Sequence, residues 1–289
     1  MRSIKSRSIV VYHQENNKRS KIVCSALAQG AYALGAKVKL KDAREYSVPE
    51  ADIATFYGLA GKLRDAKAEY VLAGKNTVFI DLGYWGREKE VNRGHHRVAI
   101  NSSHPLEYFN RGHKAADRIA QFNLQLKPLR TDGSHILLCG QSPKSAWACG
   151  LEFETWEYEA VEIMRHYTNR QIFYRPKPNA AKHSRRPPHT EYADPSRHLS
   201  EHLADAWAVV SHHSNAGIDA ITEGLPVFAA DGAALALGLD ELTKIESPRR
   251  YTVEDRDRAF ANLAYCQWTI AEMASGEMWR HIESERILR

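Results

Sequence analysis

The sequence predicts an α/β protein made of two successive doubly wound halves, each a mainly parallel sheet with helices on its faces. Three observations carry this reading. Short apolar runs alternate with segments of helical period along most of the chain. The alternation is interrupted at residues 126–135, LKPLRTDGSH, where Pro128, Asp132 and Gly133 punctuate the chain, and then restarts. The length, 289 residues with 43% hydrophobic side chains, suits two domains of roughly 130–150 residues each.

The first half opens with SIVVYH (residues 8–13), a short apolar run bounded by polar residues and read as a buried strand. A polar loop precedes a helical pattern that ends near Gly35, a suitable stop. VKLKDA (38–43) is the second strand and ADIATFYG (51–58) the third. A helix to Gly74 follows, then the strand NTVFID running into the loop LGYWGR, then a strand in HHRVAINS (95–102). Residues 114–125 are helical or linking.

The second half restarts with the strand HILLCG (135–140) and a loop, GQSPKSAWACG. Residues 153–170 form a strong helix and QIFYRPKP (171–178) a strand. HLSEHLADA is a short helix, WAVVSH a strand, SNAGIDAITEG a short helix and LPVFAAD a strand. Residues 252–282 are expected to be helical throughout. The expected boundaries are 1–130 for a first Rossmann-like domain and 131–260 for a second. Residues 261–289 are expected as a helical segment packing back on the first domain.

Composition narrows the function. No apolar run approaches the roughly 18–20 residues of a membrane span, and the N-terminal apolar stretch is too short for a secretion signal. A cytoplasmic protein without a membrane partner is expected, monomer or homodimer. The four cysteines, Cys24, Cys139, Cys149 and Cys266, form no CxxC pair and read as reduced thiols. The net charge of +5 fits a protein that meets anions, nucleotide diphosphates or nucleic acid. The adjacent pairs His95–His96 and His212–His213 should send their side chains to opposite sides of a strand, so no metal site is expected.

Residues 207–233 carry most of the chemical signal. A buried strand ends at Ser211, and small or polar residues, Ser214, Asn215, Ala216 and Gly217, lead into a helix. Small residues admit a ligand close to the backbone, and free N–H groups at a helix start suit phosphate. Ser214 can cap the helix when no ligand is bound. Glu223 lies near the helix C-terminus, where the helix dipole disfavours a carboxylate. It is suited instead to accept hydrogen bonds from the two hydroxyls of a ribose. Lys144, in the loop after the first strand of the second half, could neutralise a leaving diphosphate. Neither GxGxxG nor GxxxxGK[ST] occurs, so dinucleotide and P-loop binding are not supported.

In the first half, Asp81 sits where a strand passes into the loop LGYWGR. It is the first candidate for a general base that takes a proton from an acceptor hydroxyl; Glu15, in the first loop, is the second. Tyr84, Trp85 and Arg87 could stack on and clamp an acceptor. Residues 176–198 are rich in Pro and basic residues and read as a long loop; Arg185 and Arg186 are its candidate acceptor-binding groups.

These motifs carry a resemblance. Ser214–Asn215–Ala216–Gly217 with Glu223–Gly224–Leu225–Pro226 resembles the donor-nucleotide motif of GT-B glycosyltransferases. RPKP at residues 175–178, ahead of the strand ending in VVSHHS, resembles capsule-polysaccharide transferases, with Lys177 where those proteins usually carry histidine. IDLGYWGR, RVAIN and QWTIAEMASGEMW are similar to small bacteriophage glycosyltransferases, some of which modify hydroxymethylated DNA bases.

The resemblance implies two domains facing a central cleft. It also implies a nucleoside-diphosphate sugar as co-substrate, UDP-linked in the first instance, and no tightly bound cofactor. A divalent cation bridging the diphosphate stays open. Ser214, Asn215 and Ala216 would hold the diphosphate, with Lys144, Arg175 and Lys177 nearby, and Glu223 the ribose. The implied acceptor is a hydroxymethylated pyrimidine in double-stranded phage DNA. A saccharide acceptor, a nucleotide-sugar epimerase and a non-catalytic binding protein are the alternatives.

Overall fold

The computed structural model describes residues 3–106 and 114–288. In chain order the elements are β1 (Ser8–His13), α1 (Lys18–Ala33), β2 (Lys37–Asp42), β3 (Ile53–Tyr57), α2 (Leu63–Leu72), β4 (Asn76–Leu82) and β5 (His95–Ile100). They continue with α3 (Asp117–Ala120), β6 (His135–Cys139), α4 (Pro143–Ala148), α5 (Thr155–Arg165), β7 (Gln171–Arg175), β8 (Glu191–Tyr192) and α6 (Leu199–Leu203). The remainder are β9 (Ala206–Ser211), α7 (Ala216–Thr222), β10 (Val227–Ala229), α8 (Val253–Ala264), β11 (Gln267–Thr269), α9 (Ile270–Ala274) and α10 (Glu277–Ser284).

The chain divides into two compact units, Met1–Tyr108 with Leu263–Arg289, and Phe109–Asn262. Both are Rossmann-like. The first holds a six-stranded sheet of order β11-β5-β4-β3-β1-β2. Strands β2, β1, β3 and β4 are mutually parallel, and β5 and β11 each pair antiparallel. The central strands are continuous apolar runs because helices cover both their faces: Ile9–Tyr12 and all of β3 are buried. Tyr12 stacks on Phe56 with ring centroids 5.7 Å apart, and Tyr70 meets Phe56 edge-on. Asn17 caps α1 by accepting from the Ser20 N–H at 3.0 Å, and Gly35 leaves the helix at φ +86°. On α1, a Cβ at Gly30 would stand 1.9 Å from the Met273 carbonyl oxygen, so only glycine allows α9 this close.

The second unit holds an all-parallel sheet of order β10-β9-β6-β7-β8. Counted within the unit this is 5-4-1-2-3, so the strand order reverses between β6 and β9. Ile136, Leu138, Ile172, Tyr174, Ala208, Val210 and Phe228 form its core with residues of α5.

Four expectations are corrected. The interruption at 126–135, expected to separate the halves at 130/131, lies inside the unit Phe109–Asn262. Lys127 and Arg130 donate backbone N–H groups to the Thr222 and Gly224 carbonyls at 2.9 Å, and Arg256 donates to the Lys127 carbonyl at 2.6 Å. These bonds tie it into the second unit, which therefore begins earlier than residue 131. Loop 140–150 contains a helix, α4, because Ser142 caps it and Pro143 occupies its first turn. The 176–198 segment contains the edge strand β8, paired with β7 through Phe173–Glu191 and Tyr174–Tyr192. The C-terminal stretch does join the first unit, but it is not helical throughout: Gln267–Thr269 pairs with β5 as β11. Among the described residues no helix is long and apolar enough to cross a membrane.

Candidate functional site

The carboxyl ends of β6, β7 and β9 lie in register, with Cys139 opposite Arg175 on one side and Ser211 on the other. In an open α/β sheet, ligands bind outside these ends at the point where strand order reverses. Here that point lies between β6 and β9. Unpartnered buried polar atoms gather around these strand ends: Gln141 Oε1, Glu157 Oε2, Tyr174 OH, Arg175 Nε and Ser211 Oγ. A buried polar atom without a partner costs roughly 1–3 kcal/mol. Each such atom in a stable fold calls for an explanation, a bound group being one, and others lie in the first unit, among them Thr55 Oγ1, Thr77 Oγ1 and His96 Nδ1.

Each is held by ordinary local structure. Gln141 follows β6, and its N–H donates to Glu157 Oε1 at 2.6 Å. Burial pushes the Glu157 carboxyl above the usual carboxylate range, against that backbone hydrogen bond. The Arg175 guanidinium donates through Nη2 to the Pro195 and Arg197 carbonyls at 3.2 and 3.1 Å. Tyr174 OH rests over Gly140, where a Cβ would come within 2.6 Å of it. Burial also raises the Cys139 thiol to about 12, which keeps it protonated and inert.

The loop after β9 turns across this edge. Ser214 Oγ accepts from the Ala216 N–H at 3.2 Å, although the residue before the first helical turn of α7 is Asn215 rather than Ser214. Gly217 is needed for packing: a Cβ there would stand 2.6 Å from Ala234 Cβ and 3.3 Å from Val227 Cγ1. His213 Nε2 meets Ser145 Oγ at 2.7 Å, which couples the β9 loop to α4. Lys144, the neighbour of Ser145, is exposed, as is Lys177. Glu223 ends α7, half-buried, and no described group pairs with its carboxylate. Gly224 follows at φ +77°, with the Pro128 carbonyl so close that a Cβ would lie 2.0 Å from it.

In the first unit, strand order reverses between β1 and β3, at the carboxyl ends His13 and Tyr57. Glu15 lies on the loop after β1, in contact with Lys21, and the Lys21 hydrogen bond holds its carboxyl below the usual range. Asp81 ends β4 one strand further out. Its Oδ2 pairs with the buried Arg97 guanidinium at 3.2 Å, and its Oδ1 accepts from the Leu82 N–H at 2.8 Å.

The stacking surface expected of Tyr84 and Trp85 is not there: both are buried, at 2% and 7% exposure. Their backbone N–H groups donate to Gln267 Oε1 at 2.6 and 3.1 Å, and this tether pulls the loop inward. Arg87 folds back to donate to the Gly83 and Tyr84 carbonyls at 2.7 and 2.8 Å. Arg186 likewise turns onto the Thr190 carbonyl. Arg185 stays exposed and lines a pocket of about 420 Å³ with Glu154, Tyr158, Glu159 and Glu162.

The expected divergence of His212 and His213 is also overturned. Strand geometry ends at Ser211, and beyond it the two rings meet edge-on with centroids 5.0 Å apart. Two metal-type patterns in the sequence do not form sites. His198–Leu199–Ser200–Glu201–His202 has the HxxEH form, but His198 caps α6, Glu201 pairs with Arg197, and His202 faces the Asp194 carbonyl. In Asp255–Arg256–Asp257, the Asp255 carboxylate accepts from the Thr252 N–H at 3.1 Å and from Arg258 Nη2 at 2.7 Å at the start of α8.

No protein-family model matches the chain, and no curated protein matches it. Among solved structures, the beta Kdo 2,7 transferase of Thermosulfurimonas dismutans KpsC aligns over 94% of this chain and 99% of its own, at 12% identity and a TM-score of 0.50. The beta Kdo 2,4 transferase of the same KpsC aligns over 87% and 89%, at 12% identity and a TM-score of 0.49. A UDP-GlcNAc 2-epimerase of Methanocaldococcus jannaschii, solved with UDP-GlcNAc and UDP, aligns over 96% and 99%, at 10% identity and a TM-score of 0.29. The first of these similarities is a similarity of fold.

Proposed function

We propose that this protein is a glycosyltransferase that moves a sugar from a nucleoside-diphosphate sugar to a hydroxyl acceptor. The observation that carries the reading is the group of buried polar atoms without protein partners at the strand-order reversal of the second unit; the half-buried Glu223 at the end of α7 joins it as part of the proposal. In this reading Ser214, Asn215 and Ala216 hold the diphosphate, and Arg175, Lys144 and Lys177 balance its charge. Glu223 accepts from the ribose hydroxyls. The reaction class is taken by analogy from a Kdo transferase of similar fold; the fold by itself does not imply it.

Asp81 is the proposed base that takes the acceptor proton as the sugar is attacked. UDP is the donor nucleotide of first choice, with a divalent cation on its diphosphate an open part of the proposal. A thermal-shift panel of UDP-, GDP-, ADP- and CMP-sugars tests the donor, because a bound nucleotide stabilises the native state by mass action. A shift selective for one nucleotide is expected. No shift with any of them removes the reading.

Two acceptors rest on different observations. A hydroxymethylated pyrimidine in phage DNA rests on the net charge of +5 and the exposed Arg185. A saccharide rests on the fold shared with a Kdo transferase. Salt separates them: binding to duplex DNA falls steeply as salt rises, and binding to a neutral glycan does not.

A further inference from the structure

We propose that Cys149, His212 and His213 form a binding site for a zinc ion. The three offer ligand atoms that lie within 4.8 Å of one another. His212 Nδ1 stands 2.8 Å from His213 Nδ1, and Cys149 Sγ stands 3.5 Å from the same His213 nitrogen. Zn–N and Zn–S bonds of the usual lengths, at tetrahedral angles, put two nitrogens about 3.3 Å apart and a sulfur and a nitrogen about 3.6 Å apart. The sulfur–nitrogen edge is therefore already at its coordination length. The nitrogen–nitrogen edge opens by about half an ångström through small side-chain rotations.

The arrangement is built by the fold. Ser145 and Cys149 are four residues apart, Ser145 in α4 and Cys149 at its C-cap, so both face the same way. They address the two nitrogens of one ring, Ser145 Oγ at Nε2 and Cys149 Sγ at Nδ1. A hydroxyl on the far nitrogen fixes ring orientation, as outer partners of metal-bound imidazoles do. The His212 backbone is held by the Asp231 N–H, which donates to its carbonyl at 2.7 Å. Gly232 packs against His213, where a Cβ would lie 3.0 Å from His213 Cα. Trp156 meets the His212 ring edge-on at 5.4 Å.

One thiolate and two imidazoles form a donor set suited to zinc, and three protein ligands leave a fourth position open. The inference does not depend on sugar transfer, since it rests on these ligands alone.

The test is a cobalt(II) titration of the chelator-treated full chain under reducing, anaerobic conditions. Wild type should take up one equivalent, showing the visible bands of tetrahedral cobalt and a thiolate-to-cobalt charge-transfer band, both erased by added zinc. Cys149 is exposed, so Cys149→Ser should keep the fold and lose the charge-transfer band. Ser145→Ala should retain that band and weaken binding roughly tenfold. Cys24, Cys139 and Cys266 are buried and serve as internal controls. Absence of a charge-transfer band in wild type, or its survival in Cys149→Ser, overturns the site; the three side chains are then a metal-free hydrogen-bonded chain. The readout contains no nucleotide or acceptor, so a failure here is distinct from a failure of the donor panel.

Discussion

The Asp81 carboxylate is paired at 3.2 Å with the guanidinium of Arg97, which is buried at 8% exposure. The pair joins the ends of two neighbouring strands, since Asp81 on β4 faces Arg97 on β5 in the sheet register. The candidate base therefore also neutralises a buried cation, and the Arg97 guanidinium stays fully charged because the Tyr84 and Asp81 groups offset its burial.

Asp81→Asn is expected to do two things at once. Leaving Arg97 buried without its anion should lower stability by about 1–3 kcal/mol, read as a fall in urea midpoint. Loss of the base should lower transfer by about a hundredfold or more at a temperature where the variant is still folded. A variant that is destabilised yet transfers normally would restrict Asp81 to its structural pairing and move the proton-accepting role to Glu15.

Glu223→Ala should show the opposite pattern. No described group pairs with this carboxylate, so the unfolding free energy from urea denaturation should stay within about 0.5 kcal/mol of wild type. Donor affinity by calorimetry should fall by about 1.5–3 kcal/mol, roughly ten- to a hundredfold, through loss of charge-assisted bonds to the ribose. Unchanged affinity would remove Glu223 from the nucleotide site.

Gly217→Ala tests the packing beneath the site. Alanine improves helix propensity by up to about 1 kcal/mol. The new methyl would sit 2.6 Å from Ala234 Cβ, and overpacking of this kind costs about 1–3 kcal/mol. Net destabilisation is expected by chemical denaturation; a stabilised variant would show that the 233–236 turn yields easily.

His96 gives the first unit a pH dependence. Burial pushes its pKa down from 6.5 to about 4, because the charged ring would be desolvated against Tyr57. The unfolded chain therefore binds a proton that the folded chain refuses. The sign follows: His96 costs no stability above pH about 6.5, and stability falls as pH drops from there to about 4, by at most about 3 kcal/mol. Urea midpoints at pH 7.5 and pH 5 should differ more in wild type than in His96→Gln. Equal differences would show that other groups set the dependence.

Much of the fold was legible because its signals are local. The run SIVVYH became β1 at the expected residues, and HILLC became β6, since central parallel strands are continuous apolar stretches bounded by polar ones. The misjudged elements are those whose stability comes from elsewhere in the chain. Gln267–Thr269 has no strand pattern of its own; it is a strand because β5 offers an open edge. The two residues of β8 are ordered by β7 in the same way. Tyr84 and Trp85 read as a surface platform because aromatic residues beside an arginine suit either place. A glutamine more than 180 positions away decides between them.

By itself the sequence determined the number of Rossmann-like units and the alternation of strands and helices, because apolar period and turn chemistry are written in consecutive residues. Only the tertiary structure decided that strand order reverses between β6 and β9, that Arg97 claims Asp81, and that Cys149 meets His212 and His213. Those are relations between residues about 16 to 72 positions apart, and distance along a chain does not encode distance in space until the loops between have closed.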